Sequence, residues 1–303
     1  MKTYVYLCAF ALFASVIPTT MTAKNEEKTK KEVAVQLYSV RDLLSKVDNS
    51  NGKCDPAYIA ILKDLAEMGY TSVEAANYQD GKFYGRTPKQ FKADVESVGM
   101  TVLSSHCSRT LSEEELATGD YSKSLQWWDK CIADHKAAGM RYLVMPWMNV
   151  PKTLKDLATY CAYYDEIGRR CKEQGILFGY HNHNHEFQKV EGQVMYDYML
   201  EHTNPAYVFF QMDVYWVVRG AASPVDYFDK YPGRFKMLHI KDNREIGQSG
   251  MVGFDAIFRD ADRAGTRHIV AEIEHYSKPV LESVKESLDY LLDAPFVKAS
   301  YAK

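Results

Sequence analysis

Hydrophobic and polar positions follow one repeated rhythm from residue 33 to the end of the chain. Each repeat has a short apolar or β-branched run, a polar loop, and then an amphipathic stretch with helical period. The short runs predict eight strands, at 33–38, 72–74, 101–105, 142–145, 177–181, 208–213, 236–240 and 268–272. The amphipathic stretches predict eight helices, at 56–68, 88–98, 123–138, 153–174, 193–202, 224–230, 254–264 and 279–292.

Glycines and prolines mark the ends of these predicted helices. Glycine follows five of them, at Gly69, Gly99, Gly139, Gly175 and Gly265. Proline opens four of them, at Pro56, Pro88, Pro224 and Pro279. Eight strands alternating with eight helices predict a single α/β domain, a (β/α)8 TIM barrel over residues 33–303. An open doubly wound sheet is the alternative, but no glycine-rich phosphate loop follows the first strand.

The first residues have a different character. Lys2 precedes an uncharged, largely apolar run at 4–17, which is short for a membrane span of about 20 residues. This layout is typical of a secretory signal peptide over residues 1–23, followed by a charged linker at 24–32. An uncleaved anchor is the alternative, because Met21 suits cleavage after Ala23 poorly. We therefore expect a protein that is exported to a bacterial periplasm, with no stable membrane insertion once the leader is removed.

Composition bears on whether the protein binds nucleic acid and whether it has a disulfide framework. The chain has 37 Lys and Arg against 40 Asp and Glu, a formal net charge of −3. Proteins that act on phosphate backbones usually carry a concentrated positive surface, so we expect no nucleic-acid partner. Five of the six cysteines lie beyond the leader. Their odd number and wide spacing predict no disulfide framework.

The fifth predicted strand runs into three histidines. His181, His183 and His185 alternate with asparagine, and Glu186 follows them. Alternate positions of a strand share one face, and buried imidazoles each need a partner. Functional residues of a (β/α)8 barrel lie at this end of the strands. The run therefore indicates a site rather than ordinary core packing.

The next three strands end in similar groups. Asp213 closes the sixth, His239 and Lys241 share a face of the seventh, and Glu272 and Glu274 share a face of the eighth. Taken singly, Asp213 could be a helix cap and Lys241 a surface residue. Together they predict a divalent metal site with mixed nitrogen and oxygen ligands. Such a shell suits Mn²⁺, Zn²⁺, Co²⁺ or Fe²⁺, and Mg²⁺ if fewer imidazoles bind.

At these positions the chain resembles the xylose-isomerase-like barrels, which are often called sugar phosphate isomerase/epimerases. The segments that carry the resemblance are 35–42, 69–74, 179–183, 211–214, 239–242 and 271–276. In that family Glu, Asp, His and Glu from strands five to eight hold a divalent metal. By position Asp213, His239 and Glu272 match the last three ligands. His181 stands where relatives have Glu, so either His181 binds the metal or Glu186 reaches back from the loop; we favour His181.

The resemblance implies proton movement next to a carbonyl group, in epimerisation, isomerisation or elimination. The metal would polarise the carbonyl and stabilise an enediolate. Glu272 would act as base or ligand, with His183 or Glu186 as partner acid or base and Lys241 stabilising an oxyanion. Because His181 replaces one glutamate, the symmetric two-glutamate mechanism of the epimerases is in doubt. Sugar-binding roles fall to residues at other strand ends, each with a structural role as the alternative: Glu74, His106, Trp147 and Glu274.

The leader affects the expected substrate. Phosphorylated sugars are mainly cytosolic, so an exported enzyme is expected to meet free sugars, keto-sugars or glycosides. A metal-dependent sugar isomerase or epimerase is the primary hypothesis, and a 3-keto-glycoside lyase or hydratase with the same metal site is the alternative. A non-catalytic sugar-binding barrel and a DNA-repair nuclease with the same fold are the competing classes. A homo-oligomer is left open.

Overall fold

Eight parallel strands form a closed barrel in the computed structural model, which describes residue 1, residues 30–49 and residues 53–302. Each strand pairs with its neighbours in chain order, and the eighth pairs with the first. The strands are Ala34–Gln36, Ser72–Ala75, Thr101–His106, Tyr142–Met145, Leu177–His181, Val208–Asp213, Met237–Lys241 and His268–Glu272. The predicted (β/α)8 barrel is confirmed. The predicted leader and most of the charged linker lie outside the described residues.

Helices surround the barrel. The main ones are Pro56–Met68, Pro88–Ser97, Ser122–Ala137, Leu154–Glu173, Met195–His202, Pro224–Lys230, Phe254–Arg259 with Ala261–Ala264, and Val280–Asp293. Shorter helices are Arg41–Leu44, Glu113–Thr118 and Val214–Arg219. No helix among the described residues is both long enough and apolar enough to cross a bilayer.

Two predicted elements have different bounds in the structure. The first strand stops at Gln36 instead of Tyr38, because the Gln36 side chain accepts a hydrogen bond from the Tyr38 amide and starts a short 3₁₀ helix, Leu37–Val40. The helix predicted at 254–264 is interrupted at Asp260. Two antiparallel hairpins that the pattern did not predict lie in loops, at 78–83 and 189–194.

Two layers of side chains fill the barrel. Its amino-terminal half is apolar, and the side chains that form this cluster are Ala34, Leu103, Tyr142, Val144, Phe209, Met237 and Val270. We call this cluster the lower layer. Gly179 makes room for it, because a Cβ at that position would lie 2.5 Å from the Phe209 ring. The carboxyl-terminal half is polar and carries the residues of the candidate site.

Candidate metal centre

Strand register places the polar residues at one level of the barrel. Asp213 pairs with His239, and Lys241 pairs with Glu272, on neighbouring strands. On the other side of the barrel Gln36 pairs with Glu74. Inward-facing residues at the carboxyl ends of the strands therefore converge, as expected for a (β/α)8 barrel.

Asp213, His239 and Glu272 form a buried group whose ligand atoms lie within 4.8 Å of one another. His239 Nδ1 lies 3.7 Å from Asp213 Oδ2 and 3.4 Å from Glu272 Oε2. Both distances exceed that of an ordinary N–H···O hydrogen bond. Asp213 Oδ2 and His239 Nδ1 are buried without a hydrogen-bond partner. Unpaired buried polar atoms are costly, so this arrangement fits a cation between them.

The second oxygen and the backbone of Asp213 are firmly held. Asp213 Oδ1 accepts a hydrogen bond from the Trp216 amide at 2.9 Å, which caps the helix Val214–Arg219. The Asp213 amide donates to Asn182 Oδ1, which also accepts from the Tyr196 hydroxyl. The cap that the sequence offered as an alternative role for Asp213 is therefore present, and it leaves Oδ2 available.

Beneath this group lies the fully buried carboxylate of Glu74, which accepts hydrogen bonds from four side chains. The donors are Gln36 Nε2 at 2.9 Å, Ser104 Oγ at 2.6 Å, Gln211 Nε2 at 2.8 Å and His239 Nε2 at 2.8 Å. His106 Nε2 also lies 3.1 Å from this carboxylate. Because a carboxylate only accepts, His239 donates from Nε2 to Glu74, and Nδ1 is the ring nitrogen that faces Asp213 and Glu272. Glu74 has no exposed surface for a sugar hydroxyl.

His181 lies in a second group, with His106 and His239, whose ligand atoms are also within 4.8 Å. Its Nδ1 lies 3.1 Å from Gln211 Oε1, and His106 Nε2 lies 2.7 Å from the same oxygen. Since the Gln211 amide nitrogen donates to Glu74, its oxygen is an acceptor. His181 therefore carries its proton on Nδ1, and the lone pair on Nε2 remains for a ligand.

Glu186 is not part of either group. Its carboxylate accepts from the Tyr180 hydroxyl at 2.7 Å and from the His183 amide at 2.8 Å. It falls in a third group, with His183 and His185. Burial raises the pKa of Glu186 to about 7. These contacts hold the loop after the fifth strand. His181 shares a group with the predicted ligand His239, whereas Glu186 shares a group only with His183 and His185.

The loop histidines pack against exposed aromatic rings at the barrel mouth. The Trp147 indole is 45% exposed and lies 4.9 Å from the His183 ring and 4.4 Å from the His185 ring. His185 Nε2 donates to the Met148 carbonyl at 2.9 Å. His183 Nδ1 is buried without a partner, and burial lowers the pKa of His183 to about 3. His183 is therefore a neutral imidazole at pH 7.

Lys241 joins the eighth strand to the metal group. Its buried ammonium lies 3.3 Å from Glu272 Oε2 and 2.5 Å from Glu274 Oε2. Burial lowers the pKa of Lys241, but the charges of Glu272, Asp213 and Glu274 outweigh it and raise that pKa overall. Lys241 is thus a charged, enclosed residue instead of the surface lysine that was the alternative. Glu274 also lines a cleft of about 450 Å³ beside Arg41 and Tyr276.

The carboxylates of Asp213 and Glu272 favour a positive charge between these side chains and His239. Burial raises the pKa of Asp213. Burial also opposes ionisation of Glu272, but the charge of Lys241 and the contact with His239 hold the pKa of Glu272 well below its usual range. Burial lowers the pKa of His239, and its contacts with Asp213, Glu272 and Glu74 raise it well above the usual range.

The strands contribute functional residues that sequence reasoning did not single out. Gln36, Ser104 and Gln211 complete the network around Glu74, and Asn182 holds the Asp213 backbone. The available signal was a polar residue at an alternate position of an otherwise apolar strand, as at Gln36 and Gln211.

Comparison with known proteins shows the family to which the chain belongs. The profile of the xylose isomerase-like TIM barrel family matches residues 62–294. This chain belongs to that family. Two sugar phosphate isomerase/epimerases from Parabacteroides distasonis ATCC 8503, both solved at 1.70 Å, are similar to it. One is 34% identical with a TM-score of 0.79, covering 88% of this chain and 100% of its own. The other is 31% identical with a TM-score of 0.80, covering 90% and 99%.

A more distant neighbour shares the fold alone. The structure of an L-ribulose 3-epimerase has a TM-score of 0.66 at 12% identity, and the match covers 86% of this chain and 93% of that one. No curated protein matches the chain in sequence. The family and the fold are therefore shown by the solved relatives and the family profile.

Proposed function

We propose that this protein is a metal-dependent isomerase or epimerase that acts next to the carbonyl of a small sugar or keto-sugar. The family supports an enzyme of the sugar isomerase and epimerase class. The observation that carries metal dependence is the pair of buried atoms without partners, Asp213 Oδ2 and His239 Nδ1, which face Glu272.

Asp213, His239 and Glu272 would hold the metal, with His181 Nε2 as the fourth ligand. A bound divalent ion would polarise a substrate carbonyl and stabilise the negative charge that develops on its oxygen. Glu74 is a positioning residue in this arrangement, because its bond to His239 Nε2 keeps the Nδ1 lone pair directed at the metal group. A set of two imidazoles and two carboxylates favours Zn²⁺, Co²⁺, Fe²⁺ or Mn²⁺ over Mg²⁺.

Two side chains, Glu272 and His183, are the candidates for accepting a carbon-bound proton, and in the metal-free protein the pKa of each lies below its ordinary value. Glu272 is held ionised by Lys241, and a carboxylate in that state accepts a proton at Oε1 or Oε2. His183 is neutral at pH 7, and its Nδ1 has no partner. Glu186 positions His183 by accepting a hydrogen bond from the His183 backbone amide. Lys241 keeps a positive charge near the site that offsets a developing oxyanion.

The two proton acceptors differ in chemistry, which bears on the reaction. Epimerisation by two equivalent carboxylates needs a matching glutamate on the fifth strand, and this chain has His181 there. One carboxylate and one imidazole suit proton transfer between neighbouring atoms, as in aldose–ketose isomerisation. They equally suit elimination from a 3-keto-glycoside, with the exposed Trp147 face available to a second ring. Export to the periplasm, if the leader is cleaved, favours substrates without phosphate.

Metal content and proton exchange test this proposal. Purified wild type, Asp213→Ala and His239→Ala are compared, with His202→Ala as the control because His202 is exposed and stacks on Tyr198 away from the site. We expect near-stoichiometric metal in wild type and control, and its loss from the two site variants. Loaded wild type should then exchange a substrate proton with deuterated water when keto-sugars are screened. A folded wild type that binds no divalent metal would refute metal dependence, and metal binding without any exchange would favour a sugar-binding barrel.

A further inference from the structure

Two cysteines that lie 24 positions apart in the chain meet in the core behind the site. Cys107 directly follows the third strand, and Cys131 lies in the middle of the helix Ser122–Ala137. Their sulfur atoms are 3.3 Å apart. Cys107 is 6% exposed and Cys131 is fully buried. The contact lies outside the metal group, and the proposed reaction does not use it.

At this separation the two thiols are in direct contact, and either sulfur can donate a hydrogen bond to the other. A disulfide bond is about 2.05 Å long, so the two sulfurs need to approach by only about 1.2 Å. Sulfur atoms already in contact can close this gap through small changes of side-chain rotation and local backbone. The spacing along the chain gave no sign of the pairing, because the contact depends on how the helix packs against the strand.

We propose that Cys107 and Cys131 form a disulfide when the protein folds in an oxidising compartment. The link would tie the segment after the third strand to the helix that covers it. His106, the residue before Cys107, contacts Glu74 and Gln211 in the polar network. The disulfide would therefore also fix the strand end that carries His106.

The oxidant is a disulfide, either a small molecule such as oxidised glutathione or a dithiol oxidase. One cysteine thiolate attacks the oxidant and forms a mixed disulfide, releasing one thiol. The second cysteine then attacks its partner's sulfur and releases the other thiol. Two cysteine thiols lose two protons and two electrons, and the oxidant disulfide is reduced to two thiols.

The reaction belongs to the folding stage. Burial raises the pKa of the Cys131 thiol well above its ordinary value, so thiolate is scarce once the helix has packed. Before packing is complete both thiols are accessible, and the fold brings them together. A protein that folds under reducing conditions should keep both thiols.

A metal ion fits the cluster of Cys107, Cys131 and His135 less well than a disulfide does. His135 lies in the same group, with Nδ1 at 3.4 Å from Cys131 Sγ. The same nitrogen lies 2.6 Å from the Cys131 carbonyl, so Nδ1 carries its proton and cannot bind a metal. His135 Nε2 lies in a ring that packs on Tyr78 and Phe83. Two sulfurs alone fall short of the four ligands of a structural zinc site.

The test is peptide mapping of the full chain after it has refolded in a glutathione buffer, either oxidising or reducing. We expect oxidised protein to yield a cross-linked peptide containing Cys107 and Cys131, lighter by about 2 Da than its two parts. Cys107→Ser and Cys131→Ser should yield none. Cys161→Ser, which removes another buried thiol, should keep the cross-link.

A second readout guards against a folding defect. Oxidised wild type should unfold at a temperature several degrees above the reduced form, because the link closes a 24-residue loop in the unfolded chain. Circular dichroism of all samples confirms that they are folded. The proposal is overturned if folded wild type from the oxidising buffer keeps both thiols, or if its cross-link joins other cysteines.

Discussion

The two ends of the barrel interior are built by the same strands and follow opposite rules. On the sixth strand Phe209 belongs to the apolar lower layer, while Gln211 and Asp213, two and four residues later, belong to the polar end. The seventh strand changes in the same way from Met237 to His239. On each of these strands, a step of two residues leads from the apolar lower layer to the polar end.

The difference lies in what each end requires of its side chains. The lower layer needs volume, since apolar groups stabilise by leaving water and by close packing, with few demands on direction. The polar end needs a partner for every buried donor and acceptor. The Glu74 carboxylate accepts four hydrogen bonds, whereas Asp213 Oδ2 and His239 Nδ1 have no hydrogen-bond partner. Other buried polar atoms also lack partners, such as the Tyr58 and Tyr164 hydroxyls, but Asp213 Oδ2 and His239 Nδ1 are set apart because both belong to a group able to hold a metal ion.

Loss of the Asp213 carboxylate should have the largest effect. Asp213→Asn removes a proposed metal ligand, and we expect activity to fall by at least about 10³-fold. The variant should also relieve an unpaired buried charge, so its metal-free form should unfold at a higher temperature than metal-free wild type. Metal analysis, kinetics and thermal unfolding measure these effects. Full activity with bound metal would show that Asp213 is only a helix cap.

In the lower layer the corresponding change is one of volume. Gly179→Ala places a methyl group against the Phe209 ring, and we expect a loss of about 2–4 kcal/mol in the free energy of unfolding. Urea denaturation measures it. Adding Phe209→Leu should recover part of the loss, because the smaller side chain frees the space. Equal stability of Gly179→Ala and wild type would mean that the layer is loosely packed.

Glu74 lies beneath the proposed metal group and is hydrogen-bonded to His239. Its replacement should have an intermediate effect on metal binding. Glu74→Gln keeps the volume but can donate to the His239 ring nitrogen, which disturbs the proton position on His239. We expect metal affinity to weaken by about 10–100-fold. The absorption spectrum of the Co²⁺-loaded protein provides a readout that loss of stability would not alter. Gln36→Ala, which removes one donor to Glu74, is the control and should weaken affinity less. An unchanged affinity and spectrum in Glu74→Gln would contradict the positioning role.

The smallest expected effect comes from a titratable residue at the lower end. Burial lowers the pKa of His268 to about 4, from 6.5 in an unfolded chain. Between these values the unfolded state binds more protons, so stability should fall as pH drops from 6.5 toward 4. We expect His268 to contribute about 1 kcal/mol of this loss, since the ring is partly exposed. Urea denaturation at pH 7 and pH 4.5 should show a smaller difference in His268→Phe than in wild type. An identical pH dependence would assign the loss to other groups.

Much of the fold could be predicted because each element has its own local signal. The strand bounds at Tyr142–Met145, Leu177–His181, Val208–Asp213 and His268–Glu272 coincide with the predicted ones. Short apolar runs and Pro and Gly at helix ends depend only on neighbours in sequence. Asp213, His239 and Glu272 could be singled out for the same reason, since a polar residue that ends an apolar strand is visible in the chain.

Only the tertiary structure decided which side chains meet. Glu74 accepts from Gln211, 137 positions away, and this contact across the barrel helps to bury the carboxylate beside His239. Glu186 turns to Tyr180 and the His183 amide, and Cys107 meets Cys131. Periodicity determines the face on which a side chain lies. The partner it finds depends on the closure of the barrel and the packing of its helices, which bring together atoms from distant parts of the chain.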